Sequence, residues 1–396
     1  LTRIRRAEDF TPPYSPVALS EKPSRKKAFF FEKKDQETFG RWRVAVRDGG
    51  VFWAMSRIAL LEHVVSAVLL ACLSAVLVRI MISVGTLDHP GARSSHVVPT
   101  PKGGGVGIVA AFAVGMLVLY GGADRARIPD LPFLGFLAAG LCVAAISYAD
   151  DLFDWPFIIK LGAQFTAAFV AMACGIAFRV VHLPWFGAID LGWLGWPLTA
   201  LWIVFATNAV NFIDGLNGLA SGSVGIACVF LAGIAWSQGD GFVFDAALVL
   251  GAGIAGFLPF NYPKARIFMG DVGSQFCGFT IAVLGVLAGR YGAPTLSALL
   301  VPALLSGILI DVAFTLLRRL AAHENITRPH RSHLYQVAQR SGMSAASISA
   351  LYWIMVVLGG ACCLLPTRPL WLIVLGQAAW LATVVMLARR AKLASW

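Results

Sequence analysis

The run IALLEHVVSAVLLACLSAVLVRIMISV at residues 58–84 is too long and too apolar for a water-soluble domain. A helix needs roughly 20 apolar residues to cross a bilayer, and this run supplies them. Ten more such runs follow, near 104–122, 131–148, 157–177, 193–208, 219–237, 243–259, 272–289, 296–317, 347–365 and 369–388. The run at 193–208 is short. Across the whole chain 58% of residues are apolar and only 13% charged, with a mean hydropathy of +0.74. That leaves too little polar surface to cover the molecule in water. The expected fold is an all-α integral membrane protein, one bundle of about eleven transmembrane helices over residues 55–396. No internal repeat signals a transporter made of two related halves. The seven cysteines all fall inside apolar runs, without a CxxC pair, and read as small core residues.

Residues 1–54 have a different character. They carry twelve Lys/Arg against seven Asp/Glu, hold Pro12, Pro13, Pro16 and Pro23, and show no sustained helical or strand period. Met55 stands just before the first apolar run. The expectation is an over-called upstream extension with Met55 as the natural start; the alternative is a disordered tail.

The net charge of +11 does not point to nucleic acid. The N-terminal segment contributes +5 of it, and most of the rest lies in short loops between spans, where basic residues set membrane orientation. Alternate loops divide unevenly. One side collects thirteen Lys/Arg, among them Arg93, Lys102, Lys160, Lys264, Arg331 and Arg390, and the other only five. The richer side is expected to be cytoplasmic, with the C-terminus on it.

That same side gathers the chemically capable residues. After the first span comes Asp88-His89-Pro90-Gly91-Ala92-Arg93-Ser94-Ser95-His96, followed by Pro99-Thr100-Pro101-Lys102 and Gly103-Gly104-Gly105. The third span ends in Asp150-Asp151-Leu152-Phe153-Asp154. The fifth ends in Asn208-Ala209-Val210-Asn211-Phe212-Ile213-Asp214-Gly215-Leu216-Asn217-Gly218. After the seventh come Pro263-Lys264 and Ile267-Phe268-Met269-Gly270-Asp271 with Gly273-Ser274; after the ninth, Arg328-Pro329-His330-Arg331-Ser332-His333. A carboxylate in lipid costs roughly 2.5–3.5 kcal/mol. The five aspartates Asp150, Asp151, Asp154, Asp214 and Asp271 would together cost about 12–17 kcal/mol in hydrocarbon. They must face water, cations or one another. Clustered carboxylates suit a hard divalent cation, Mg²⁺ above all with Mn²⁺ as a substitute, which could neutralise charge on a phosphoryl group.

Each piece also has a plain structural reading. Asp150 and Asp154, at i and i+4, fit a solvated helix end. Asn208 and Asn211 fit helix caps, and His330 and His333 fit interfacial polar residues. The glycine run at 103–105 matches no phosphate loop and suits close helix packing. His63 and His182 read as incidental, and Asp311 as a buried, paired helix residue.

As an ordered set, the DD-x-x-D run at Asp150–Asp154, the N-x-x-N-x-x-D-G run at Asn208–Gly215 and the IFMGD run at Ile267–Asp271 resemble the polyprenyl-phosphate N-acetylhexosamine-1-phosphate transferases of glycosyltransferase family 4. The resemblance spans residues 57–390. It implies ten or eleven helices with cytoplasmic catalytic loops in a bacterial inner membrane. It also implies transfer of N-acetylhexosamine-1-phosphate from a UDP-sugar to undecaprenyl phosphate, releasing UMP and starting a surface polysaccharide such as O-antigen. The branch that transfers phospho-N-acetylmuramoyl-pentapeptide usually has Lys where Asp154 stands and three histidines in the late loop. Arg-Pro-His-Arg-Ser-His at 328–333 is closer to the amino-sugar branch. Many relatives carry Asp where Asn217 stands, so Asn217 is given no acid–base role.

By the same resemblance, Asp271 and Asn211 would hold the metal. Asp150, Asp151, Asp154 and Asp214 would be catalytic, with Asp150 or Asp151 orienting the lipid phosphate. Asn208, Lys264, His330, Arg331 and His333 would bind substrate. The expected partners are undecaprenyl phosphate, the UDP-N-acetylhexosamine and the membrane, with a homodimer left open. A transporter is the rival class, but its carboxylates belong near the bilayer midplane on broken helices rather than at span ends.

Overall fold

A computed structural model describes residues 29–31, 42–47, 50–55, 57–89, 98–122, 128–183, 187–291, 298–325, 330–365 and 369–393. The runs that are apolar in sequence are helices: α1 (Arg57–Val84), α2 (Gly105–Gly122), α3 (Asp130–Phe153), α4 (Phe157–Ala173), α5 (Gly195–Ile213), α6 (Leu219–Ser237), α7 (Gly241–Asn261) and α8 (Gly270–Tyr291). The ninth run is a pair, α9 (Leu300–Leu304) and α10 (Ser306–Ala321). A short α11 (Leu334–Arg340) precedes α12 (Ala345–Leu364) and α13 (Trp371–Arg390). Eight helices are long and apolar enough to cross a membrane, and α2 and α4 contain shorter apolar stretches. The chain is an all-α membrane protein.

The interruption at Leu305 divides a run that reads as continuous in sequence. It precedes Ser306-Gly307, a residue pair typical of helix kinks. The Gly307 backbone lies so close to α12 that an added Cβ would stand 2.9 Å from Met355 Sδ.

Helix α8 is the axis. Within its most apolar window 94% of residues are buried, against 11% for α1 at the periphery. Around it pack α2, α3, α5, α6 and α7, with Phe276 of α8 edge-on to Phe112 of α2. Outward faces stay apolar: Leu60, Leu61, Val68 and Leu69 of α1 and Val374 and Leu375 of α13 are exposed, as lipid-facing residues should be.

The glycine run is a packing device. Gly104 and Gly105 donate backbone hydrogen bonds to Phe268 O and Met269 O at 2.9 and 2.8 Å. A Cβ on Gly105 would stand 2.2 Å from Gly273 Cα. Only glycine lets the start of α2 lie against the start of α8, and this brings two polar loops together.

The strands are short. β4 (Leu87–Asp88) pairs with β5 (Thr100–Pro101), and β6 (Val180–Leu183) with β7 (Gly187–Asp190). Ahead of α1, β1 (Phe29–Phe31), β2 (Trp42–Arg47) and β3 (Gly50–Met55) form an antiparallel sheet. No strand period announced this sheet. A local sign was present in the sequence, the dipeptide Asp48-Gly49, which is favoured in two-residue hairpins.

Candidate active site

The polar residues meet at one end of the bundle, where α3 and α5 end and α8 begins. Asp150 and Asp151 occupy the last turn of α3 and, as neighbours on a helix, point in different directions. Asp150 Oδ1 accepts from Trp155 N at 2.8 Å, and Oδ2 pairs with Lys160 Nζ at 2.8 Å. Asp151 Oδ2 accepts from Val272 N at 3.0 Å, placing a carboxylate on the N-terminus of α8, and Lys102 Nζ lies 3.5 Å from Oδ1. Gly270 makes that approach feasible: its φ is +74°, and a Cβ there would stand 2.7 Å from Asp151 Oδ2.

Asp271, in the first turn of α8, is held on three sides. Asn211 Nδ2 donates to Oδ1 at 3.0 Å, while Lys160 Nζ and Gln275 Nε2 each lie 3.2 Å from Oδ2. The same Asn211 amide donates to Ser274 Oγ at 2.8 Å, so its carbonyl oxygen is left for another partner. Asn208 lies one turn deeper. It exchanges hydrogen bonds with Gln164, which donates to Gln275 Oε1 at 2.9 Å. Asn208 thus supports Asp271 through two glutamines rather than lining the cavity.

A cavity of about 380 Å³ opens here, lined by Lys102, Asp151, Asn211, Asp214, Asn217, Asn261, Phe268, Asp271 and, from the late loop, Arg331, Tyr335, Gln336 and Gln339. Asp214 caps the end of α5. Among the described residues no hydrogen bond or ion pair neutralises its carboxyl. Burial, and then the negative charges of Asp271 and Asp151, push its pKa well above the usual carboxylate range. Asp88 lines it as well, so four carboxylates share one cavity with Lys102 and Arg331.

The remaining expected site residues lie elsewhere. Asp154 is exposed at the left-handed C-cap of α3, φ 50°, a conformation aspartate tolerates. Lys264 is exposed and does not line the cavity. His330 is half-buried, with Ser332 Oγ 3.0 Å from its Nδ1. Burial, followed by nearby His333, Arg319 and Arg318, pulls its pKa down to about 4, so it is neutral near pH 7. His333 is 4% exposed, stacked on Tyr335, with Nδ1 3.3 Å from Asp311 Oδ1. Its role in the structure is to build the wall rather than to face the cavity. Arg93 through His96 and Arg328 lie outside the described residues.

Lys102, Lys160, Gln164, Gln275 and Tyr335 are the site residues the sequence did not single out. Lys160 counted only as an orientation signal, and Lys102 stood in a polar run without a role of its own. The glutamines sit within apolar helices, and that was the available sign: a buried amide in a membrane helix needs a partner.

Among the described residues, no group of three or more His, Cys, Asp or Glu side chains forms a ready-made metal cluster. The donors present suit Mg²⁺ nonetheless. That ion usually takes one or two carboxylates and completes its shell with water and substrate phosphates. Asp214, with no hydrogen bond or ion pair on its carboxyl among the described residues, lies beside Asp271 and the side-chain carbonyl of Asn211 and offers that donor set.

Residues 133–289, which hold most of these side chains, match the family described as Glycosyl transferase family 4. A Bacillus subtilis protein described as a probable undecaprenyl-phosphate N-acetylglucosaminyl 1-phosphate transferase is 30% identical over 312 residues, covering 78% of this chain and 85% of its own length. The decaprenyl-phosphate N-acetylglucosaminephosphotransferase of Mycobacterium tuberculosis is 31% identical over 314 residues, 72% of this chain and 77% of its own. A phospho-N-acetylmuramoyl-pentapeptide-transferase of Synechococcus matches over a shorter stretch, 33% identical across 47% of this chain and 63% of its own length. Similarity that spans the bundle and includes the carboxylate cavity places this chain in glycosyl transferase family 4.

Proposed function

We propose that the protein transfers N-acetylhexosamine-1-phosphate from a UDP-sugar to undecaprenyl phosphate, releasing UMP, at the cytoplasmic face of a bacterial inner membrane. The observation that carries this reading is the cavity in which Asp151, Asp214 and Asp271 face Lys102 and Arg331. Such a mixture of acceptors and fixed cations suits a diphosphate and a divalent ion together, and has no use for an apolar solute. The bacterial relatives named for polyprenyl-phosphate N-acetylglucosamine phosphate transfer support the transferred group and the acceptor class.

In this reaction an oxygen of the lipid phosphate attacks the phosphorus that carries the sugar. One P–O bond forms, the bond to the bridging oxygen breaks, and that oxygen leaves with UMP. One phosphoanhydride replaces another, so catalysis is chiefly positioning and charge neutralisation. Lys102 and Arg331 bind phosphate oxygens, Arg331 with a planar fork suited to them. Asp151, fixed by Val272 N, orients the incoming lipid phosphate; Asp150 is turned away onto Lys160 and Trp155 and holds the frame. Asp271, Asp214 and the Asn211 carbonyl would hold Mg²⁺, which when bound offsets the charge of the diphosphate. Lys160 keeps Asp150 and Asp271 together.

The test is a donor panel. Membranes containing the protein receive undecaprenyl phosphate and UDP-N-acetylglucosamine, its amino-sugar analogues, or UDP-N-acetylmuramoyl-pentapeptide, and UMP release is measured. Turnover of an amino-sugar donor supports the reading. Turnover of the pentapeptide donor alone transfers the protein to the peptidoglycan branch, and release from none overturns the reading.

A further inference from the structure

Asp311 is a carboxylate inside α10 with none of its surface exposed. Its bonding is unusual for a helix residue. Oδ1 accepts the backbone N–H of Leu334 at 2.8 Å and Oδ2 accepts that of Tyr335 at 3.1 Å. The Tyr352 hydroxyl of α12 donates to Oδ2, and Thr315 Oγ1 and His333 Nδ1 lie 3.3 Å from Oδ1. One side chain thus joins α10, α11 and α12.

The two amides belong to the first turn of α11, whose N–H groups have no partner within the helix. At seven residues α11 is too short to persist through its own hydrogen bonds. Where it stands depends on what grips it, and Asp311 grips its first two residues. Helix α11 carries Tyr335, Gln336 and Gln339 to the cavity, with Arg331 just ahead of it. The Tyr335 hydroxyl then donates to Phe212 O at 3.1 Å, two residues before Asp214. A Cβ on the neighbouring Gly215 would stand 2.2 Å from that hydroxyl oxygen, so the fit admits only glycine.

We propose that Asp311 is a positioning residue that fixes the Arg331–Gln339 wall against the carboxylate wall and so sets the grip on the nucleotide sugar. The choice of substrate rests on the proposed transferase function. The wall presents a guanidinium, a phenol and amides, which match a polar sugar nucleotide; a polyprenyl tail needs an apolar face. Asparagine cannot replace Asp311. Each carboxylate oxygen accepts a backbone N–H, and either orientation of an amide would turn its NH₂ onto one of them.

The experiment uses the full chain in detergent, comparing wild type with Asp311→Asn. Two readouts are taken: KM for each substrate by UMP release, and hydrogen exchange of the Leu334 and Tyr335 amides. The expected result is a rise of tenfold or more in KM for the UDP-sugar, with KM for undecaprenyl phosphate within twofold. The two amides should exchange at least tenfold faster while α12 keeps its protection. Unchanged exchange, or equal movement of both KM values, overturns the proposal. If Asp311→Asn does not insert, Tyr335→Phe decides: it removes only the link to Phe212, and a donor-specific KM rise of about threefold supports the proposal while no rise overturns it. If wild type releases no UMP from any donor, the transferase reading fails by itself, and exchange still tests the grip of Asp311 on α11.

Discussion

Replacing Lys160 by Met keeps an unbranched side chain of similar length but deletes an ammonium 2.8 Å from Asp150 Oδ2 and 3.2 Å from Asp271 Oδ2. The two carboxyls would then lie against each other with no cation between them. Removing one partner of a buried ion pair costs about 3–5 kcal/mol. Side-chain exposures of 20% for Lys160 and 27% for Asp271 admit some solvent screening, which lowers the figure to about 2–3 kcal/mol. If that cost falls on the geometry that holds the phosphates, kcat/KM drops roughly 30- to 160-fold. Lys160→Arg keeps the charge on a bulkier planar head and should lose about tenfold less. The assay is UMP release by purified protein, with thermal unfolding followed in parallel to confirm that the variant is folded. A folded Lys160→Met enzyme within threefold of wild type would refute the bridging role.

Asp271→Asn retains shape but removes the charge a cation needs, and UMP release should fall on the order of 10²–10³ with normal membrane insertion. EDTA should abolish wild-type activity, with Mg²⁺ or Mn²⁺ restoring it; indifference to chelation would sink the metal site. Because the Asp214 pKa is raised, its protonated form persists to higher pH than an ordinary carboxyl, and protons compete there with the cation. Activity should therefore decline as pH falls from neutrality, and raising Mg²⁺ should move that acid limb to lower pH; a limb unmoved by Mg²⁺ counts against Asp214 as a ligand. Gly270→Ala places a methyl group 2.7 Å from Asp151 Oδ2 at a φ of +74°, and should reduce UMP release at least tenfold while leaving the bundle inserted.

The membrane fold was legible because length and apolarity act span by span: each predicted run is a helix, or for the ninth a pair of consecutive helices. The break at Leu305 left no gap in apolarity, so only Ser306-Gly307 could have marked it. The carboxylates of the site were legible because an aspartate at the end of a lipid-crossing run is expensive and requires a reason. Their counter-charges were not. Lys160 is 111 residues from Asp271, and in sequence it looks like any lysine that sets orientation. His333 illustrates the opposite limit, since a histidine in a polar loop suggests a ligand contact while the fold buries its ring against Asp311 and Tyr335. Asp311 itself reads correctly as buried and paired, but its backbone partners on α11 arise only from tertiary structure.

The central claim is that sugar and phosphate move together. UDP-N-acetylglucosamine, or whichever amino-sugar donor the panel identifies, can be labelled with ³²P at the phosphorus attached to the sugar and incubated with the protein and undecaprenyl phosphate. The account predicts that the label passes into the organic-extractable lipid while the released UMP carries none. Label retained in water-soluble UDP, with only the sugar reaching the lipid, would contradict it.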